Sequence, residues 1–222
     1  MSGADWTAVI PVKRLGAAKS RLRGAVPDAR HEELALAMVR DTVAAVGACE
    51  QVAEVLVVTD DAGVAAAVAA LGARVTPDRP GAGLNAAMRF GADTVTGLGR
   101  ARAVLTGDLP ALRPDELGAA LLSADPGRSL VVDAAGTGTV LLTAGPGVAL
   151  EPRFGPGSAA AHAASGARVL PGDWPGLRQD VDTAADLRAV LELGAGVHTC
   201  ALLRDLGLTA APGCRMPVGP PR

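Results

Sequence analysis

Four cations fall within nine residues near the start of the sequence: Lys13, Arg14, Lys19 and Arg21, in the run Val12-Lys-Arg-Leu-Gly-Ala-Ala-Lys-Ser-Arg-Leu22. They follow an apolar stretch, and they would repel one another unless something anionic lay among them. A triphosphate is the natural candidate. A solvated basic loop accounts for them about as well. The run is neither GxxxxGK[ST] nor GxGxxG, so the common phosphate motifs are excluded.

The acids come later in the chain. Asp108 directly follows Val104-Leu-Thr-Gly107, which places a carboxylate on a glycine turn at the end of an apolar strand, where it could hold a metal. A turn aspartate ahead of Pro110 is the plainer reading. Leu177-Arg-Gln-Asp180-Val-Asp182-Thr reads as a strand over Leu177 to Val181, and residues two apart on a strand point the same way. Asp180 and Asp182 then share a face, which is costly unless a cation neutralises them. Hard oxygen ligands of this kind suit Mg2+, with phosphates filling the remaining positions. Asp182 could instead complement the dipole of a helix starting near Thr183, but that explains Asp180 poorly.

A second anion site is suggested by Arg153-Phe-Gly-Pro-Gly-Ser158, ahead of a short Ala-rich helix. A cation, two glycines and a serine at a helix N-terminus can bind a small anion. His162, four residues after Ser158, could share that face; the alternative is a simple Ser cap with an exposed His. Gly136-Thr-Gly-Thr139 could add hydroxyl and N–H donors, or be a hairpin-like turn. Asn85 could face a base or ribose, and suits a cap or turn equally well. Asp60 or Asp61 suits a helix cap better than a ribose ligand.

Positioning these groups needs strands that end at them. Apolar runs predict strands at Trp6 to Lys13, Glu54 to Thr59, Ala73 to Thr76, Ala101 to Leu105, Ser129 to Asp133, Thr139 to Thr143 and Ala167 to Leu170. Helices are predicted from Pro27-Asp28 through Val46, from Asp60-Asp61 to Leu71, and over Leu84 to about Leu98, Pro114 to Leu122, Ser158 to Ala164, Thr183 to Leu193 and Val197 to Leu206. Thr183-Ala-Ala-Asp186 is a capping-box variant. Strands alternating with helices mean an α/β fold with a mainly parallel sheet, and sites in such sheets form beyond the carboxyl ends of the strands.

Composition narrows the choices. At 222 residues the chain suits one domain, read as residues 1–210 with a Pro/Gly-rich, disordered tail over 211–222. The net charge of −2 supplies no field for nucleic acid or anionic membrane, and four aromatic residues give few platforms for stacking bases. Three widely spaced cysteines argue against a disulfide framework or a zinc site, and reducing cytoplasm fits best. No basic region leads into an apolar stretch at the start, and the longest uncharged run, Ala134 to Leu150, falls short of a span of about 20 residues. With three histidines and no Ser-His-Asp order standing out, a nucleophilic hydrolase is unattractive.

Taken together, Val12-Lys-Arg-Leu…Ala-Lys-Ser-Arg-Leu22, Gly107-Asp-Leu-Pro110, Gly136-Thr-Gly-Thr139, Arg153-Phe-Gly-Pro-Gly-Ser158 and Asp180-Val-Asp-Thr183 resemble the phospholactate or phosphoenolpyruvate guanylyltransferases of coenzyme F-420 biosynthesis, in the family's order. The resemblance implies a single-domain nucleotidyltransferase fold of the GT-A, Rossmann-like kind, with a mainly parallel mixed sheet flanked by helices. It implies transfer of GMP from GTP to the phosphate of a three-carbon phospho-acid, with Mg2+ and release of pyrophosphate. Asp108, Asp180 and Asp182 would hold metal and, with Lys19, carry catalysis. Thr139, Gly155 and Ser158 would bind the phospho-acid. Lys13, Arg14, Lys19, Arg21 and Asn85 would bind the nucleotide. The expected acceptors are phosphoenolpyruvate first, 2-phospho-L-lactate second and 3-phosphoglycerate third, with hand-over of the product to a deazaflavin-modifying transferase. The alternatives are another GT-A-like enzyme, such as a sugar-phosphate or molybdopterin nucleotidyltransferase, or a non-catalytic nucleotide-binding domain. The segment after Gly194 carries no part of the resemblance.

Overall fold

The two-residue alternation of the strands sets the layers. In the computed structural model, which describes residues 6–16 and 26–208, seven strands form one sheet: β1 (Trp6–Pro11), β2 (Val52–Val58), β3 (Arg74–Thr76), β4 (Ala101–Leu105), β5 (Arg128–Val132), β6 (Thr139–Ala144) and β7 (Arg168–Val169), in the order β3-β2-β1-β4-β6-β5-β7. Ala8, Ile10, Val55, Val57, Ala103 and Leu105 point into one core. Val9, Leu56, Val58, Val104, Leu130 and Leu142 point into the other. Both faces are therefore covered, which is why the strands read as continuous apolar runs.

The helices are α1 (His31–Gly47), α2 (Ala62–Ala69), α3 (Leu84–Arg89), α4 (Pro114–Leu122), α5 (Ser158–Ala164), α6 (Pro175–Arg178), α7 (Ala184–Leu193) and α8 (Val197–Asp205). Among the described residues, none is long and apolar enough to cross a membrane. The expected mainly parallel, mixed sheet is present, with β3, β2, β1 and β4 running together on one side. It is mixed on the other, because β6 runs antiparallel to both β4 and β5.

The helix expected over Leu84 to Leu98 splits in two. After α3 the backbone widens into a π-helical stretch, Phe90–Thr96. Gly91 lies where this stretch meets the sheet: a Cβ there would come within 2.6 Å of Val9 Cγ1 and 2.8 Å of Val58 Cγ2. Gly91→Ala is expected to destabilise by about 1–3 kcal/mol through overpacking. Urea unfolding would measure this, and an unchanged midpoint would mean the helix can back away from β1 and β2.

The strand expected over Leu177 to Val181 does not form. Pro175 opens α6 in its first turn, the Leu177 N–H donates to the Glu116 carboxylate of α4 at 2.8 Å, and the Arg178 N–H donates to the Trp174 carbonyl. With these bonds made locally and to a helix, the segment has no free edge to offer a sheet.

A third apolar cluster joins α1, α7 and α8 through Leu34, Met38, Val181, Val190 and Leu203. The Asp41 carboxylate of α1 anchors it, accepting the His198 and Thr199 N–H groups at 2.9 and 2.8 Å, so one helix caps another. Gly196 makes this approach possible, since a Cβ there would sit 2.3 Å from Asp41 Cγ. Cys49 is a buried free thiol. The domain boundary near residue 210 and the 211–222 tail also lie outside the described residues.

Candidate active site

Strand order places the site. From β1 the chain steps outward through β2 to β3, then restarts on the other flank of β1 with β4. This reversal of strand order between β1 and β4 is the switch point at whose carboxyl ends sites of open α/β sheets form. β1 delivers Lys13 and Arg14 to this rim, both exposed, and β4 delivers Asp108. Because β6 is reversed, its amino end brings Gly138 and Thr139 to the same rim. Lys19 and Arg21 lie outside the described residues.

The Asp108 turn is held from beneath by Thr42, fully buried on α1. Its hydroxyl accepts the Leu109 N–H at 3.0 Å and lies 3.3 Å from the Gly107 carbonyl. The 180–182 segment is stitched to this turn: the Val181 N–H donates to the Asp108 carbonyl at 3.2 Å. Arg178 ties the other side, donating from its guanidinium to the carbonyls of Val132 and Asp133 at 3.2 Å, while its own carbonyl accepts the Ala134 N–H at 2.8 Å. Asp180 and Asp182 thus reach Asp108 by a laced loop and not by a shared strand face. Thr183 and Asp186 complete a reciprocal capping box on α7, as the sequence suggests.

The electrostatic result is a concentration of negative charge. Burial pushes the Asp180 carboxyl up to about 7, and the neighbouring Asp108, Asp182 and Asp133 charges push the same way. Asp133 is a member that sequence reasoning missed. Its two oxygens accept the Thr137 and Gly138 N–H groups at 2.9 and 2.8 Å, which shapes the β5–β6 turn. Among the described residues no three His, Cys, Asp or Glu side chains close into a metal cage by themselves.

On the far side of Thr139 lies the Arg153–Ser158 loop. Gly155 and Gly157 take φ of +141° and +70°, which side chains rarely adopt. The cap of α5 is Gly157, not Ser158; Ser158 is the first helical residue and is buried. His162 is buried as well, not exposed: Nδ1 lies 2.9 Å from Thr139 Oγ1, and Nε2 accepts the Arg153 N–H at 2.8 Å. Asn85, expected either at the nucleotide or in a cap or turn, pairs with the Phe154 backbone. Its amide donates to the Phe154 carbonyl at 2.9 Å and accepts the Phe154 N–H at 2.7 Å, clamping this loop to α3.

Beside β1 a cleft of about 270 Å³ is lined by Lys13, Arg14, Asp60, Asp78, Gly81 and Leu84, among others. Asp60 accepts the Asp78 N–H at 3.1 Å, which fixes the cleft wall. Asp61 caps α2 as anticipated, and also accepts the Leu15 N–H at 3.0 Å, which ties down the start of the basic loop.

Burial holds the His162 imidazole down at about 4, with Arg128 and Arg153 adding repulsion. Its folded pKa lies below the ordinary value of 6.5, so its contribution is complete above about pH 6.5 and is lost as pH falls toward 4. Asp180 has the opposite sign in the same window, so the effect is best read in an Asp180→Asn background. There, stability should fall by on the order of 2–3 kcal/mol between pH 7 and 4.5. A His162→Asn companion showing the same acid loss would exclude the imidazole as its source.

The family model described as "Guanylyl transferase CofC like" matches residues 6–216. A relative named phosphoenolpyruvate guanylyltransferase from Salinispora arenicola is 62% identical over 208 residues, covering 92% of this chain and 96% of the relative. One of the same name from Geodermatophilus obscurus is 56% identical, covering 89% and 94%. Among solved structures, a protein described as a putative nucleotide-diphospho-sugar transferase from Desulfovibrio desulfuricans G20 superposes with a TM-score of 0.70 at 18% identity, covering 91% of this chain and 95% of its own.

Proposed function

Since the chain belongs to the CofC-like guanylyltransferase family, we propose that it moves GMP from GTP to the phosphate of phosphoenolpyruvate and releases pyrophosphate. The observation that carries this reading is the lacing of the 180–182 loop onto the Asp108 turn at the switch point between β1 and β4. The acceptor choice follows the names of relatives at 56–62% identity. The resemblance in sequence further supports a place in coenzyme F-420 biosynthesis, with 2-phospho-L-lactate as the next acceptor.

The cleft beside Lys13 and Arg14 seats the nucleotide, with those cations toward its phosphates; Lys19 and Arg21 extend the same run in sequence. Thr139, Gly155 and Ser158 take the phospho-acid. An acceptor phosphate oxygen attacks the α-phosphorus in line. One P–O bond forms, the bond to the bridging α–β oxygen breaks, and that oxygen leaves with pyrophosphate. The attacking phosphate is already anionic, so no strong base is needed, and positioning supplies most of the acceleration.

The donor set fits Mg2+. Asp108, Asp180 and Asp182 offer hard oxygens with an excess of negative charge around Asp180, and because they do not close a cage alone, triphosphate oxygens would complete the coordination. When bound, the ion supplies charge neutralisation at the phosphates. The test is pyrophosphate release from GTP as phosphoenolpyruvate is added. Release is expected to need both the phospho-acid and the divalent ion; release without acceptor, or none with any of the three phospho-acids, would sink the proposal.

A further inference from the structure

The imidazole of His162 has no place in the transfer chemistry above, yet both of its nitrogens are engaged, one by Thr139 and one by the Arg153 backbone. Nε2 faces the Arg153 N–H at 2.8 Å, and a backbone N–H can only donate, so Nε2 carries the lone pair and Nδ1 the proton. Nδ1–H then donates to Thr139 Oγ1 at 2.9 Å. A hydroxyl that accepts in this way keeps its own proton for another acceptor. No acceptor for that proton is found among the described residues.

Resting on the placement of the phospho-acid at Thr139, we infer that His162 is a positioning residue: its Nδ1–H tautomer turns the Thr139 hydroxyl into a one-way donor for the acceptor anion, and the same ring fixes the Arg153 backbone. The surroundings hold the ring in that state. Phe154 packs edge-on at 5.0 Å and 71°, limiting rotation. Burial with Arg128 and Arg153 keeps the ring neutral against the opposing pull of the Ser158 carbonyl, and a protonated ring would have no lone pair for the Arg153 N–H. Asn85 holds the next residue, Phe154, by both its N–H and its carbonyl, so the loop is pinned at consecutive positions.

The test combines a spectroscopic readout with kinetics. Nitrogen-15 NMR of the histidine ring in the full-length protein should show the proton on Nδ1; a proton on Nε2 would overturn the inference. His162→Asn keeps a donor near the Nδ1 position and His162→Gln keeps an acceptor near Nε2, so each preserves one bond and loses the other. Each is expected to raise the KM for phosphoenolpyruvate about tenfold, with the KM for GTP changed by less than about twofold. An unchanged phosphoenolpyruvate KM in folded variants, or an equal rise for both substrates, would overturn the role. Thr139→Val separates the two levels: it should reproduce the phosphoenolpyruvate defect, and Thr139→Ser should restore binding. If Thr139→Val leaves that KM unchanged, the acceptor placement itself fails. If it raises the KM while the His162 variants are silent, only the positioning role fails.

Discussion

Replacing Asp180 by Asn is expected to do two opposite things: to cut turnover about a thousandfold, and to stabilise the protein in the absence of divalent cations. The first follows from losing one of the three carboxylates assigned to the ion. The second follows from the carboxyl's folded pKa of about 7, against 3.8 for an ordinary aspartate. Between those values the native state binds a proton that the unfolded chain does not, so stability falls as pH rises through that window. Above pH 7 the full penalty applies, on the order of 2–4 kcal/mol. Asn keeps the shape and removes the charge. Urea unfolding at pH 8 with a chelator present should therefore show the variant as the more stable protein. Added Mg2+ and GTP should narrow the gap by stabilising the wild type alone. A variant that is less stable than wild type at pH 8, or that still turns over, would contradict the crowded-carboxylate account.

Arg102→Met is expected to cost about 3–5 kcal/mol of stability while leaving both KM values unchanged. Arg102 is fully buried on β4, paired with Ala144 of β6. Its guanidinium donates to the carbonyls of Arg100, Leu98 and Gly145 at 2.5, 3.3 and 3.0 Å, to the Val148 carbonyl, and to Asp93 at 3.3 Å. Methionine fills the volume but leaves these acceptors, and the Asp93 charge, without their partner. Four chain segments meet at this one side chain, at the end of β4 away from Asp108. Denaturant midpoints measure the loss; a decrease below about 1 kcal/mol would show that water satisfies the carbonyls instead.

The parts of the fold legible in the sequence are those where burial dictates composition. Strands covered on both faces are dominated by apolar residues, so Val55-Leu-Val-Val58 and Ala103-Val-Leu105 are recognisable as strands from residue type alone. Strand direction leaves no such trace: Leu141 and Leu142 fill opposite cores and would do so whichever way β6 ran. The Leu177 segment misled because its apolar residues look strand-like, while the group that decides its shape is the Glu116 carboxylate, 61 positions earlier. The acids were identified by type, but their meeting depends on backbone bonds that no periodicity encodes. Thr42 left a signal that could have been followed, as a polar residue inside an otherwise apolar helical stripe at the spacing that faces the core. Asn85 and His162 stand out by residue type, but nothing in the sequence tells what they hold: the Phe154 backbone for Asn85, and the Thr139 hydroxyl and Arg153 N–H for His162.

The cap that Asp41 places on α8 has a consequence for the order in which the protein can be completed. A ribosome delivers α1 early and residues 197–199 close to last. Until then the emerging chain has no N–H groups for Asp41 and no Leu203 to lie with Leu34 and Met38. Val181 belongs to that same cluster and is flanked by two of the site carboxylates. A nascent chain halted near residue 193 should therefore hold its sheet but leave a greasy stripe of α1 open to chaperones, with the acidic loop unsupported. The chemistry of the site is gathered from residues spread across the chain, yet it waits on a helix that supplies none of it.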